Sequence, residues 1–126
     1  MTVKGFAASV LSVSLLIAAI PAFAEDTRTL PLTVGVYECY DQMANPTPEM
    51  MFGLLDEARY SNYDGKIGTY SYDVASGVIE VGLETGAPAR FSRIAATTFR
   101  AINDDGSLAG FVCPLNRSKD PSNPPW

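Results

Sequence analysis

Three consecutive runs of strand-forming residues, 58–63, 67–74 and 79–83, follow one another in the middle of the chain. In the second and third runs hydrophobic and polar positions alternate with a period of two, which is typical of strands with one buried face. Asp-Gly at 64–65 and Ala-Ser-Gly at 75–77 separate the runs, and these residues tolerate the backbone angles of tight turns. The pattern therefore predicts an antiparallel meander.

A preceding strand is predicted from about Leu32 to Asp41. Period-two alternation places Gly35, Tyr37 and Cys39 on one face of it. Because a disulfide-bonded cysteine is usually buried, we expect this face to point into the core.

Later in the chain, residues 91–94 and 97–102 favour two further strands or one bent strand. Asn-Asp-Asp-Gly at 103–106 is a strong turn signal before a last strand at 108–113. Pro114 is expected to end that strand because it lacks a backbone donor.

The segment Glu49–Arg59 fits two structures. As a helix it would begin after Thr47 as N-cap, whereas as a strand it would direct Phe52 and Leu54 inward. Gly53 costs about 1 kcal/mol inside a helix. Since the neighbouring segments are all β, the strand is favoured, but the helix stays open.

Cys39 and Cys113 are the two cysteines of the chain. A redox-active pair would need a Cys-x-x-Cys motif or a nearby histidine, and the sequence has neither. We therefore predict one structural disulfide, which places the first and last strands side by side. The expected fold is all-β: a small antiparallel meander that closes into a barrel or a tightly curled sandwich.

The first 24 residues are typical of a secretory signal peptide. Lys4 precedes an apolar run at 6–20, and Ala-Phe-Ala at 22–24 fits a cleavage site after Ala24. The run is short for a membrane span. We expect a periplasmic or secreted protein whose mature chain has no membrane span.

After the predicted signal peptide, composition divides the chain into two parts. Residues 25–116 are predicted to form the β-domain. Residues 117–126 are polar and proline-rich, which predicts an extended tail.

The formal net charge of the chain is −5. Cleavage would remove Lys4 and leave 8 basic against 14 acidic residues, a net charge of −6. Such a surface disfavours nucleic acid and favours a basic protein or a cell-envelope component as partner. Arg90, Arg93 and Arg100 are expected either to form an anion site or to point outward into solvent.

Candidate chemistry is sparse. The chain has no histidine, so Ser-His-Asp and Cys-His arrangements and histidine-based metal sites are excluded. The turn at 62–65 superficially resembles a calcium loop, but Tyr60 and Ser71 stand where its first and last carboxylates belong. We predict no catalytic residue, no metal site, no cofactor and no enzymatic activity.

Surface aromatic residues are the remaining candidates for binding. Tyr40 is out of phase with Cys39, and Tyr63 adjoins a turn, so both are predicted to be exposed. Trp126, the single tryptophan, is expected to be a loose terminus, to fold back onto the sheet or to contact a partner.

The G-x-Y-x-C motif at 35–39, the tyrosine-rich meander and the second cysteine in the last strand resemble small exported bacterial two-cysteine β-proteins. Periplasmic C-type lysozyme inhibitors belong to this group. Their S-G-x-x-Y motif is matched at Ser76 and Gly77, but Glu80 stands at the tyrosine position. The resemblance implies a disulfide-closed β-protein with a basic enzyme as partner.

Sequence reasoning thus predicts an exported, non-catalytic binding protein. Two alternatives stay open. The first is an inhibitor of a basic hydrolase such as lysozyme, and the second is a calycin-like carrier that encloses a small apolar ligand.

Overall fold

The computed structural model describes residues 26–82 and 88–126, and within these ranges the chain forms eight antiparallel strands. The strands are β1 (Gly35–Tyr37), β2 (Phe52–Leu54), β3 (Arg59–Asn62), β4 (Ile67–Asp73), β5 (Val78–Val81), β6 (Ala89–Ala95), β7 (Thr98–Ile102) and β8 (Leu108–Asn116). Each pairs with its neighbours in sequence, and β1 also pairs with β8, so the sheet closes into a barrel. The predicted all-β class is confirmed, with the barrel rather than the sandwich. Residues 1–24, the predicted signal peptide, lie outside the described residues.

Four aromatic rings fill the centre of the barrel. Phe52 stacks on Tyr37 at 5.3 Å between ring centroids and contacts Phe91 at 4.9 Å and Phe99 at 5.8 Å. All four side chains are fully buried. Burial raises the pKa of Tyr37 to about 12. The inward direction predicted for Tyr37 and Cys39 is confirmed.

The predicted disulfide between Cys39 and Cys113 is present. Tyr40 and Val112 exchange two backbone hydrogen bonds, so the adjacent cysteines form a directly opposed pair between β8 and the segment after β1, with Cα atoms 3.9 Å apart. The bond therefore fastens the seam at which the barrel closes.

Pro114 does not end the last strand, which corrects the prediction. β8 continues to Asn116 because the Pro114 carbonyl accepts from the Glu38 amide and the Leu115 amide donates to Thr97. Because proline has no N–H, the reciprocal hydrogen bond from residue 114 to the Glu38 carbonyl is missing. β1 accordingly spans only Gly35–Tyr37, shorter than the predicted first strand.

The segment Glu49–Arg59 contains a strand and no α-helix, as favoured. β2 directs Phe52 and Leu54 into the core. A single 3₁₀ turn at Pro48–Met50 precedes it, and Thr47 makes no side-chain capping bond there. Further along, β6 and β7 are two separate strands joined by a tight turn.

Residues 26–34, here called the cap segment, lie across one end of the barrel. Arg93 is buried and holds this segment by donating to the carbonyl oxygens of Leu30 at 2.7 Å and Pro31 at 3.2 Å. It also donates twice to the Ala96 carbonyl, at 2.8 and 3.1 Å. Arg93 is thus neither an anion site nor a solvated outward residue, because backbone carbonyls occupy its donors.

The C-terminal residues are not extended as predicted. Asn116 and Asp120 each accept from the amide and hydroxyl of the serine two positions later, which forms two turns. These turns fold residues 119–126, here called the strap, back over the outer face of the barrel. Trp126 accordingly follows the fold-back alternative.

Candidate functional site

A groove of about 740 Å³ lies at the capped end of the barrel and is open to solvent. The cap segment forms one wall, and the β2–β3 loop and β4 form the other. Both walls are largely apolar or aromatic. The residues with such side chains are Leu30, Pro31, Leu32, Val34, Leu54, Leu55, Tyr70, Tyr72 and Val74. We call this the end groove.

Two tyrosine hydroxyls fix the walls of the end groove. Tyr70 donates to the carbonyl oxygen of Asp56 at 2.7 Å, and Tyr72 donates to that of Arg28 at 2.6 Å. The tyrosine rings thereby keep a defined position between sheet and loop. Val34 and Val74 are 54% and 51% exposed, so the groove offers uncovered apolar surface.

Acidic residues form the rim of the end groove beside the β2–β3 loop. Asp56 accepts from the amides of Ala58 and Arg59 and from the Arg59 guanidinium, and these bonds lower its pKa to about 2. Glu57 is exposed at the same rim. An apolar floor with a carboxylate edge suits an apolar side chain flanked by basic residues.

The β4–β5 hairpin projects at the same end of the barrel and carries Ser76 and Gly77 at its tip. The Ser76 hydroxyl donates to the Asp73 carboxylate at 2.9 Å, and Gly77 has a φ of +74°. Glu80 lies on the outer face of β5, exposed and opposite Ser71.

Two of the predicted binding residues, Tyr63 and Trp126, contact each other. Their rings meet edge to face with centroids 6.3 Å apart, and the Trp126 indole donates to the Asp120 carbonyl at 2.9 Å. Both residues are half-buried. The strap therefore covers the surface that the prediction left exposed at Tyr63.

Tyr40 lies apart from that pair and is also half-buried. Its hydroxyl donates to Glu38 at 3.1 Å, and Asn116 and Lys119 donate to the same carboxylate at 2.8 and 3.2 Å. Burial raises the pKa of Glu38, but these three bonds outweigh it and hold the pKa below the usual value. Glu38 thereby connects Tyr40 to the start of the strap.

Sequence reasoning missed the end groove. The cap segment has no strand or helix periodicity, and its position depends on Arg93, which is 63 residues away from Leu30 in sequence. The one local signal was the pair Tyr70 and Tyr72, because a spacing of two residues in a strand places both side chains on a single face.

Where a pKa shift is resolved for a carboxyl group in residues 26–82 and 88–126, it is downward. In the same ranges no three His, Cys, Asp or Glu side chains converge in a metal-binding arrangement. Among the described helical turns none has the length and hydrophobicity to cross a membrane.

Comparison with known proteins assigns no relative to this chain. No family model matches it, and neither a curated protein nor a solved structure is significantly similar to it.

Proposed function

We propose that this is an exported, non-catalytic binding protein that holds a basic partner protein at the end groove. The observation that carries the proposal is an apolar groove of about 740 Å³ whose walls are pinned by two tyrosine hydroxyls and whose rim carries Asp56 and Glu57. A preformed site of this kind loses little entropy on binding.

Charge supports a basic partner. The chain is acidic overall, with a net charge of −5, and the exposed Glu57 adds to that charge at the groove itself. Complementary charge accelerates encounter, whereas apolar contact at Val34 and Val74 would set the rate of dissociation.

The test is direct binding of the full chain to basic proteins, with a C-type lysozyme as the first probe and cytochrome c as a basic control. Glu57→Lys should weaken lysozyme binding at least about tenfold and reduce its salt dependence. Val34→Ser with Val74→Ser should accelerate dissociation and leave association nearly unchanged.

The matched control is Asp104→Lys, which makes the same charge change in the β7–β8 turn at the opposite end of the barrel. If Asp104→Lys weakens binding as much as Glu57→Lys, only net charge matters and the groove is not the site. If cytochrome c binds as tightly as lysozyme, binding likewise depends on net charge alone and the groove is not the site.

Inhibition of a basic hydrolase is a second candidate, favoured by the position of Ser76 in a hairpin tip beside the end groove. The lysozyme complex would then block cell-wall hydrolysis, and Ser76→Asp would abolish the block. If lysozyme binds and keeps its activity, the binding proposal holds and the inhibitor proposal is wrong. The ring-filled centre of the barrel argues against an enclosed apolar ligand.

A further inference from the structure

The strap crosses the outer face of β2 and β3 and contacts it mainly by packing. Ser61 in β3 donates to the carbonyl of Pro121 at 2.7 Å, and the Trp126 ring packs edge to face against Tyr63. Ser61 is 2% exposed although it lies on the outer face of the barrel. The strap therefore covers an outer surface that would otherwise face solvent.

Gly53 provides the space for this contact. A β-carbon at residue 53 would lie 2.8 Å from the Cβ of Pro121 and 3.0 Å from the Trp126 ring. Glycine weakens a strand, and its use in β2 is explained where another chain segment approaches the backbone closely. Together with Ser61 opposite it, Gly53 forms the floor of a shallow groove.

Hydrogen bonds within the strap form a turn. Asp120 caps the turn at Ser122 through its carboxylate, and its carbonyl accepts from the Trp126 indole at 2.9 Å. These bonds lie within residues 120–126, so a separate peptide of this sequence contains all the groups that make the turn.

The surface beside the strap has room for more than the strap. A cleft of about 190 Å³ is lined by Pro121 and Pro124 of the strap and by residues of β3, β4 and the adjoining loops. Ile67 at its edge is 62% exposed. A longer ligand would therefore gain apolar contact that residues 120–126 do not make.

We infer that the outer face of β2 and β3 is a peptide-binding groove, floored by Gly53 and Ser61, whose resident ligand is the chain's own residues 120–126. In trans it takes a peptide of the same chemistry, in which a tryptophan follows closely spaced prolines. The tethered strap has a high effective concentration, so it keeps the groove closed until it is displaced. This inference is independent of the end groove.

The experiment uses the full chain and the synthetic peptide Asp-Pro-Ser-Asn-Pro-Pro-Trp, the sequence of residues 120–126. Trp126→Ala weakens strap docking, and titration calorimetry measures peptide binding to this variant and to the wild type, whose own Trp126 would mask the peptide's indole emission. We expect the peptide to bind Trp126→Ala at least about tenfold more tightly than wild type, because the wild-type groove is occupied. A scrambled peptide of the same composition should not bind.

The matched control is Gly53→Val with Trp126→Ala, because valine suits a strand and fills the groove. The inference would be overturned if the peptide bound the double variant or the wild type as tightly as it binds Trp126→Ala. It would also be overturned if the scrambled peptide bound Trp126→Ala as tightly as the native peptide does. Absence of binding to a Trp126→Ala protein with native circular dichroism would overturn it as well.

A second measurement needs only a single substitution. In Gly53→Val the Trp126 emission should lie at longer wavelength than in the wild type, because the strap is expelled into water. Unchanged emission in a folded Gly53→Val protein would show that the strap does not occupy this groove.

Discussion

Gly77 shows how one residue positions the cap segment. Its φ of +74° disfavours any side chain, and a β-carbon there would lie 2.7 Å from the Cγ of Arg28. Arg28 cannot simply move away, since its guanidinium donates to the Ala75 carbonyl and to Asp26. The turn and the cap segment therefore depend on each other at this glycine.

Gly77→Ala should lower the free energy of unfolding by about 2 kcal/mol, from backbone strain and displacement of Arg28. Gly106→Ala is the matched control, because Gly106 has a φ of +90° but nothing lies within 4 Å of its β-carbon position. Gly106→Ala should lower the free energy of unfolding by about 1 kcal/mol. Urea unfolding of both variants tests this, and equal losses would contradict the role of Arg28.

Arg93 is the residue on which the cap segment depends most. Arg93→Met should destabilise the fold by about 2–4 kcal/mol, because the carbonyls of Leu30, Pro31 and Ala96 lose their donor in a buried site. Arg90→Met, on the same strand, should cost less than about 1 kcal/mol. Guanidinium unfolding measures both, and similar losses would mean that the buried hydrogen bonds contribute little.

At the scale of elements, Glu38 joins the seam of the barrel to the strap. Because its folded pKa lies below the usual value of 4.5, it contributes stability above about pH 4.5, and this is lost as the pH falls through the folded pKa. The sign follows from proton binding, since the unfolded chain binds the proton more readily. The strap should therefore loosen in acid.

Glu38→Gln should lower the free energy of unfolding by about 1–2 kcal/mol at about pH 7, where the charged carboxylate accepts from Lys119. It should also flatten the fall in the urea midpoint between about pH 5 and pH 3. Glu49→Gln, at an exposed position, should keep the wild-type pH profile. A Glu38→Gln profile parallel to wild type would remove Glu38 as the group responsible.

At the scale of the whole molecule, the disulfide joins residues 74 positions apart at the seam where β8 meets the chain after β1. Replacing both Cys39 and Cys113 by alanine should cost about 4.5 kcal/mol by loop-closure entropy. Guanidinium unfolding of the oxidised wild type and the double variant measures the loss. Reductant should destabilise the wild type and leave the variant unchanged, and a loss below about 1 kcal/mol would contradict the entropic account.

How far the sequence could predict the fold depends on the distance over which each feature is encoded. Alternation along β4 and β5 and the Asp-Gly turn are local, and they predicted the meander correctly. The prediction for Pro114 failed because a missing N–H affects one edge of a strand only, and Thr97 on the other side still pairs with β8. Likewise, nothing local distinguishes a buried Arg93 from a solvated one.

The sequence by itself determined the central meander, the inward face of Tyr37 and the cysteine pair, because side-chain periodicity and cysteine chemistry need no distant partner. Tertiary structure alone decided that Arg93 binds the cap segment, that Tyr70 and Tyr72 line a groove and that Trp126 covers Gly53. Each of these contacts joins residues far apart in sequence. Their energies exist only once barrel closure has brought the partners together.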